Sequence, residues 1–276
     1  MVGVIVSNLN YYPEVLSELS RRFTECGVDV LLFILDHESN VGRVLDHVWQ
    51  YQVDGVLVAA HLDAQEIAQF DQRNVPLVFY NRSYQDIPVS SVCCDQVEGE
   101  RMLVNLLAEN GVHKSFAVVS GPKDSVVSMQ RTQGAIDRLS SLGIRDVVLA
   151  AGDYSYESGR RALREVIKQA GGVPDAIVCA NDMMAMGCMD ELRYHLNLDV
   201  SGDVSVVGFD GVGAAGWSSF DLATVQQPVE SMAEAAVSML LERVANHTLP
   251  PEKRTFSGVL RKGSTVRSQA FFDDTQ

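Results

Sequence analysis

Short apolar runs of five to seven residues alternate with helical patterns along most of the chain, and the rhythm starts twice. The first series is "VGVIVS" (2–7), "VLLFIL" (30–35), "GVLVAA" (55–60) and "PLVFYN" (76–81). After "SSVCCD" (90–95) it resumes with "SFAVVS" (115–120), "DVVLAA" (146–151), "AIVCAN" (176–181) and "VSVVGFD" (204–210). The spacing predicts helices over 97–109, 126–142, 156–170 and 183–194 between the later runs. Strands that alternate with helices in this way are those of βαβ units and a parallel sheet. Between the first two runs, Pro13 suits a helix start, Val15, Leu16, Leu19 and Phe23 share one face, and Gly27 supplies a stop.

At 276 residues the chain exceeds what one core usually serves. Two sets of about four or five βα units fit two lobes better than one sheet of about ten strands. The remaining segments are "LATVQQP" (222–228), a helix over 229–245 and a strand-like "TFSGVLR" (255–261). If that helix packs on the first lobe and the last strand returns to the second, the chain crosses three times, near 96, 228 and 254. The expected lobes are 1–96 with 229–254, and 97–228 with 255–270, followed by a tail at 271–276. Three connections make a hinge around a cleft lined by loops at the carboxyl ends of both sheets.

The 22 basic and 36 acidic residues leave a net charge of −14, which repels a phosphate backbone, so this polypeptide alone is not expected to bind DNA. There is no run of 18 apolar residues to enter a membrane, and "MVGVIVSNLN" is already a strand without a basic leader, which predicts a cytoplasmic chain. The five cysteines, at 26, 93, 94, 179 and 188, show no zinc spacing and read as reduced, buried, small apolar residues. The six histidines form no metal-binding pair, no catalytic signature for hydrolysis or nucleotide binding appears, and no cofactor or metal is predicted.

"VVGFDGVGAAGW" (206–217) spells G-x-G-x-x-G at Gly211, Gly213 and Gly216. A dinucleotide-binding turn needs a helix of ten or more residues next, then a strand and an acidic residue about twenty positions on. Only Trp217 to Phe220 separates the glycines from "DLATV", so there is no room for the crossover, and the glycines read instead as a tight loop beside a pocket. This weighs against a nicotinamide-dependent enzyme.

The segment "SVVGFDG" followed by "LATVQQP" resembles the effector domains of the lactose-repressor (LacI) family of bacterial transcription regulators. The resemblance runs in order through "VGVIVSNLNYY", "VDGVLVAA", "VPLVFYNR", "SVCCD", "VVSGP", "RTQG", "GDYSYESG" and "ANDMMAMG". It implies an α/β, two-lobed fold of the periplasmic-binding-protein-like type (type I), each lobe a parallel sheet flanked by helices. It also implies a homodimer whose ligand closes the lobes, and DNA read only by an N-terminal helix-turn-helix domain absent from this sequence. The expected effector is a sugar or sugar derivative. The alternative from another class is a solute-binding protein of a transporter, which shares the architecture.

The resemblance, with the chemistry of each side chain, selects the ligand-binding residues. Asp210 ends the "GFD" strand, where a carboxylate can accept two hydrogen bonds from neighbouring sugar hydroxyls. Asn181 offers a donor and an acceptor, whereas the adjacent Asp182 reads as the cap of the following helix. Arg131 in "MQRTQG" matches a family position whose guanidinium points into the cleft. Tyr11 and Tyr12 follow the first strand, and one of their rings is expected to stack on a sugar; Tyr11 replaces the family's usual proline. Asn81 stands before Arg82 where relatives more often carry aspartate, which changes the hydrogen-bonding preference at that corner. Tyr154 and His61 complete the set, and Trp217 is placed either in the cleft or in the packing behind it.

Overall fold

The computed structural model describes residues 1–7, 13–35, 41–84, 86–109 and 111–267. In chain order the elements are β1 (Val2–Val6), α1 (Pro13–Glu25), β2 (Val30–Ile34), α2 (Val41–Gln50), β3 (Val56–Ala59), α3 (Ala64–Gln72), β4 (Leu77–Tyr80) and β5 (Ser90–Cys94). There follow α4 (Gln96–Ala108), β6 (Phe116–Ser120), α5 (Val126–Ser141), β7 (Val147–Ala151), α6 (Tyr156–Ala170), β8 (Ala176–Cys179), α7 (Asp182–His195) and β9 (Ser205–Asp210). The chain ends with β10 (Ala223–Gln226), α8 (Val229–Ala245), β11 (Lys253–Phe256) and β12 (Val259–Arg261).

Two compact units result. One comprises Met1–Cys94 with Pro228–Phe256, the other Asp95–Gln227 with Ser257–Gln276, so the chain passes between them three times. The first unit holds a six-stranded sheet in the order β11-β5-β4-β3-β1-β2, parallel throughout. The second holds β12-β10-β9-β8-β6-β7, parallel except where β12 runs antiparallel to β10. The stretch 255–261, read from sequence as one strand, is therefore two: β11 ends the first sheet and β12 starts its antiparallel run on the second. Its polar, short-period sequence carries no signal for the break between Phe256 and Val259, because both pieces are edge strands with little to bury.

Burial explains the apolar runs. β1, β3, β4 and β8 are buried at every position, as central parallel strands with helices on both faces must be. Edge strands β2 and β7 are buried at one position each. In the first unit, Phe33, Leu45, Val58, Phe70 and Phe79 belong to one apolar cluster; in the second, Leu163, Ile177, Met184, Met189 and Val206 do. The five cysteines are free, but Cys26 is exposed and Cys93 half-buried, because the first follows α1 at the surface and the second lies on the less covered face of β5. Among the described residues no helix is long and apolar enough to cross a membrane.

Helices α6 and α7 approach backbone to backbone. A Cβ at Gly159 would lie 2.2 Å from the Met184 carbonyl oxygen, and one at Gly187 would lie 2.1 Å from that of Tyr156. Only hydrogen fits at either point. We expect Gly159→Ala to lower the unfolding free energy by about 2 kcal/mol or more through overpacking, whereas Gly172→Ala, which meets nothing within 4 Å, changes it by less than about 0.5 kcal/mol. Urea unfolding of the two variants measures the contrast.

Candidate functional site

Extending the β8–β9 and β9–β10 registers by a few residues sets Asn181, Asp210 and Gln226 side by side at the carboxyl ends of three neighbouring strands of the second unit. The chain then supplies a buried cation to this row. Arg131, on the inner face of α5, is 2% exposed. Its Nε donates to Gln96 Oε1 at 2.7 Å, its Nη1 to the Ala180 carbonyl at 2.6 Å and its Nη2 to Asp210 Oδ1 at 2.8 Å. The Phe209 ring lies under the guanidinium, with Cζ 3.8 Å from the ring centroid. Burial works hardest against the charge of Arg131, but Asp210, Tyr154 and Glu100 together outweigh it, and the guanidinium stays protonated.

Asp210 is held in a backbone conformation that side chains avoid, with φ +113°. The strain is held by its neighbours. Gln227 donates its backbone N–H to the Asp210 carbonyl and its Nε2 to Oδ1, at 3.1 and 2.6 Å. With both side-chain donors on Oδ1, no described residue bonds Oδ2, and the side chain is 25% exposed. A rigid carboxylate with one open oxygen can accept from ligand hydroxyls without first breaking a bond to the protein.

Asp182, expected to cap α7, is instead a buried anchor, and the capping position falls to Asn181. Asn181 is the N-cap of α7, its Oδ1 accepting from Met184 N at 3.0 Å while Nδ2 donates to the Tyr154 carbonyl at 3.0 Å. Asp182 is not the cap. It is fully buried and accepts from Thr224 Oγ1 at 2.6 Å, from Val212 N at 2.9 Å and from Gly211 N, pinning the turn that follows Asp210. Gly208 makes the room, since a Cβ there would lie 2.4 Å from Asp182 Oδ1. Burial pushes the Asp182 carboxyl up to about 8, and the charge of Asp210 adds to this against the three donors. Both residues are one step apart at a helix start, and sequence alone does not say which side chain turns back to the helix.

Tyr154, at φ +68°, is half-buried, and its hydroxyl bonds to Ser125 Oγ at 3.1 Å beside Gly121, where a Cβ would lie 2.4 Å from the ring. Trp217 is 63% exposed and so is not part of the packing. In the first unit, Asn81 is buried at φ +51°, one residue past β4, with its N–H bonded to the Val92 carbonyl and its own carbonyl accepting from Arg82 Nη1. His61 is exposed past β3, its ring stacked 6.2 Å from that of Tyr84. Tyr11 and Tyr12 lie outside the described residues.

Four residues of the second unit escaped sequence reasoning: Gln96, Gln227, Phe209 and Glu100. Phe209 and Gln227 stand inside the quoted "GFD" and "QQP" segments and were within reach of it. Gln96 and Glu100, on α4, had no motif to mark them. Glu100 is 1% exposed, and burial pushes its carboxyl up to about 8 despite the opposing charge of Arg131, with Asp210 adding to the rise.

The model of the periplasmic binding protein-like domain family matches residues 104–266. The HTH-type transcriptional regulator CelR of Thermobifida fusca is 32% identical over 266 residues, covering 91% of this chain and 76% of the regulator. A solved complex of the regulator CelR with cellobiose superimposes with a TM-score of 0.87 at 27% identity, covering 96% of this chain and 84% of that one. A dimeric Lac repressor with a C-terminal deletion gives 0.85 at 25% identity, covering 97% and 100%.

Two outcomes test the site as built. Asp182→Ala leaves the Val212 N–H and the Thr224 hydroxyl without their buried acceptor and is expected to cost about 2 kcal/mol in urea unfolding. For Glu100 the folded carboxyl lies near 8, above its ordinary value of 4.5, so its protonated form is favoured in the folded state and stability falls as pH rises from about 5 through 8. Glu100→Gln should make that decline shallower, leaving the part that belongs to Asp182, whose carboxyl also lies near 8, and be the more stable protein at pH 9 by about 2 kcal/mol, read from denaturation at a series of pH values.

Proposed function

Because the chain belongs to the LacI family of periplasmic binding protein-like domains, we propose that it is the effector-binding and dimerisation core of a transcriptional repressor. The effector is a sugar or sugar derivative. The observation that carries this reading is the Arg131–Asp210 pair: a carboxylate locked by Arg131 and Gln227 on one oxygen and open on the other suits neighbouring hydroxyls. Asn81, Arg82, His61, Asn181, Tyr154, Tyr11 and Tyr12 are proposed as further contacts. A ligand that binds one arrangement of the two units better than another shifts the population by that difference in affinity and by nothing else.

A net charge of −14 disfavours contact with a phosphate backbone and supports a reading in which DNA is bound by a separate domain. The cellobiose-bound regulator and the dimeric repressor support a saccharide ligand and a homodimer. CelR is a transcriptional regulator, which supports a regulatory role over a catalytic one.

A thermal-shift panel of mono- and disaccharides, cellobiose included, with their phosphates, tests the reading. At least one member should stabilise the chain strongly, since a ligand at 100 times its Kd adds about 2.7 kcal/mol. Asp210→Asn should abolish the shift and leave unfolding cooperative. A panel without any stabiliser, or an undiminished shift in Asp210→Asn, overturns the proposal.

A further inference from the structure

No described residue hydrogen-bonds either carboxyl oxygen of Glu100, although it is almost completely buried. A group of that kind normally costs stability. It stands one helical turn after Gln96, so the two side chains share the face of α4 that meets α5. Gln96 anchors Arg131 Nε. The two helices are close here, since a Cβ at Gly134 of α5 would lie 3.1 Å from the Val97 backbone and 3.4 Å from the Glu100 Cβ. Gly99, between them on α4, admits the edge of the Phe209 ring on whose face the guanidinium rests. Glu100 therefore stands on the same face of α4 as the residue that anchors Arg131, close to α5.

Two charges act on Glu100 from the elements around it: Arg131 on α5 attracts it when ionised, and Asp210 at the end of β9 repels it. The buried thiol of Cys179 on β8 feels its charge in turn. We propose that Glu100 is a positioning residue for the effector site: uncharged, it leaves Arg131 to Asp210, and charged, it competes with Asp210 for the same guanidinium and draws it away. This rests on the reading of Arg131 and Asp210 as effector-binding groups. Burial keeps the carboxyl neutral up to about pH 8, so effector affinity is level at neutral pH. Above 8 it falls, approaching tenfold per pH unit, the limit for one linked proton. Asp182 lies near 8 as well, so a decline by itself does not identify Glu100; its disappearance in Glu100→Gln does.

The experiment has two arms. Without ligand, carbon-13 NMR of labelled glutamate carboxyls from pH 5 to 10 should show one group titrating near 8, with the Arg131 guanidinium nitrogens moving in step, and both changes absent in Glu100→Gln. With the sugar that stabilises the chain most in the panel, cellobiose being tried first, calorimetry should show at least fivefold weaker binding at pH 9 than at pH 7.5. Glu100→Gln should stay within twofold over that range. Glu100→Leu serves if the glutamine variant does not fold. An Arg131 signal indifferent to pH, or a decline in affinity that persists in the variant, overturns the proposal. A panel without any binding sugar refutes the effector reading instead, and the NMR arm still decides what Glu100 does to Arg131.

Discussion

A guanidinium with 2% exposure sits in a medium that penalises charge by several kcal/mol, and it persists only because its surroundings answer it. Asp210 balances the charge, Gln96 and the Ala180 carbonyl take up two more donors, and the Phe209 ring closes one face. Each of these groups has requirements of its own. Phe209 needs the missing side chain at Gly99, Asp210 needs Gln227 and a strained backbone, and the turn after Asp210 needs Asp182 with the space left by Gly208. The glycines of this region thus follow from one buried cation.

A buried ion pair is a weak source of stability, since apolar residues of the same volume often do as well or better. What apolar packing does not supply is a carboxylate oxygen held in a fixed direction and left without a protein partner. The arrangement around Arg131 delivers that oxygen at Asp210. Orientation bought with buried charge is a plausible trade only where a polar guest is to be recognised, and it matches the pre-organisation on which selective binding rests.

The alternation of strands and helices was readable because central parallel strands are buried on both faces and must be apolar throughout, as at Val2–Val6 and Ala176–Cys179. Arg131 and Asp210 were singled out by motif resemblance, not by any periodicity. Three features were not readable. The division of 255–261 between two sheets depends on edge pairings that leave no apolar signature. The capping of α7 by Asn181 instead of Asp182 depends on which side chain finds three donors in a distant turn, and those donors, Gly211, Val212 and Thr224, are about thirty to forty residues away along the chain. The burial of Glu100 depends on the close approach of α4 and α5 at Gly134, a tertiary fact that its place on an amphipathic helix hides.

The paired glycines of α6 and α7 carry a consequence for how such a molecule can diversify. With carbonyl oxygens standing where side chains would be, the joint has no bulk to trim and no slack to absorb an added methyl. Descendants of this chain that acquire a taste for another guest must do so by exchanging residues at the strand tips, while the joint behind them passes from one to the next unaltered.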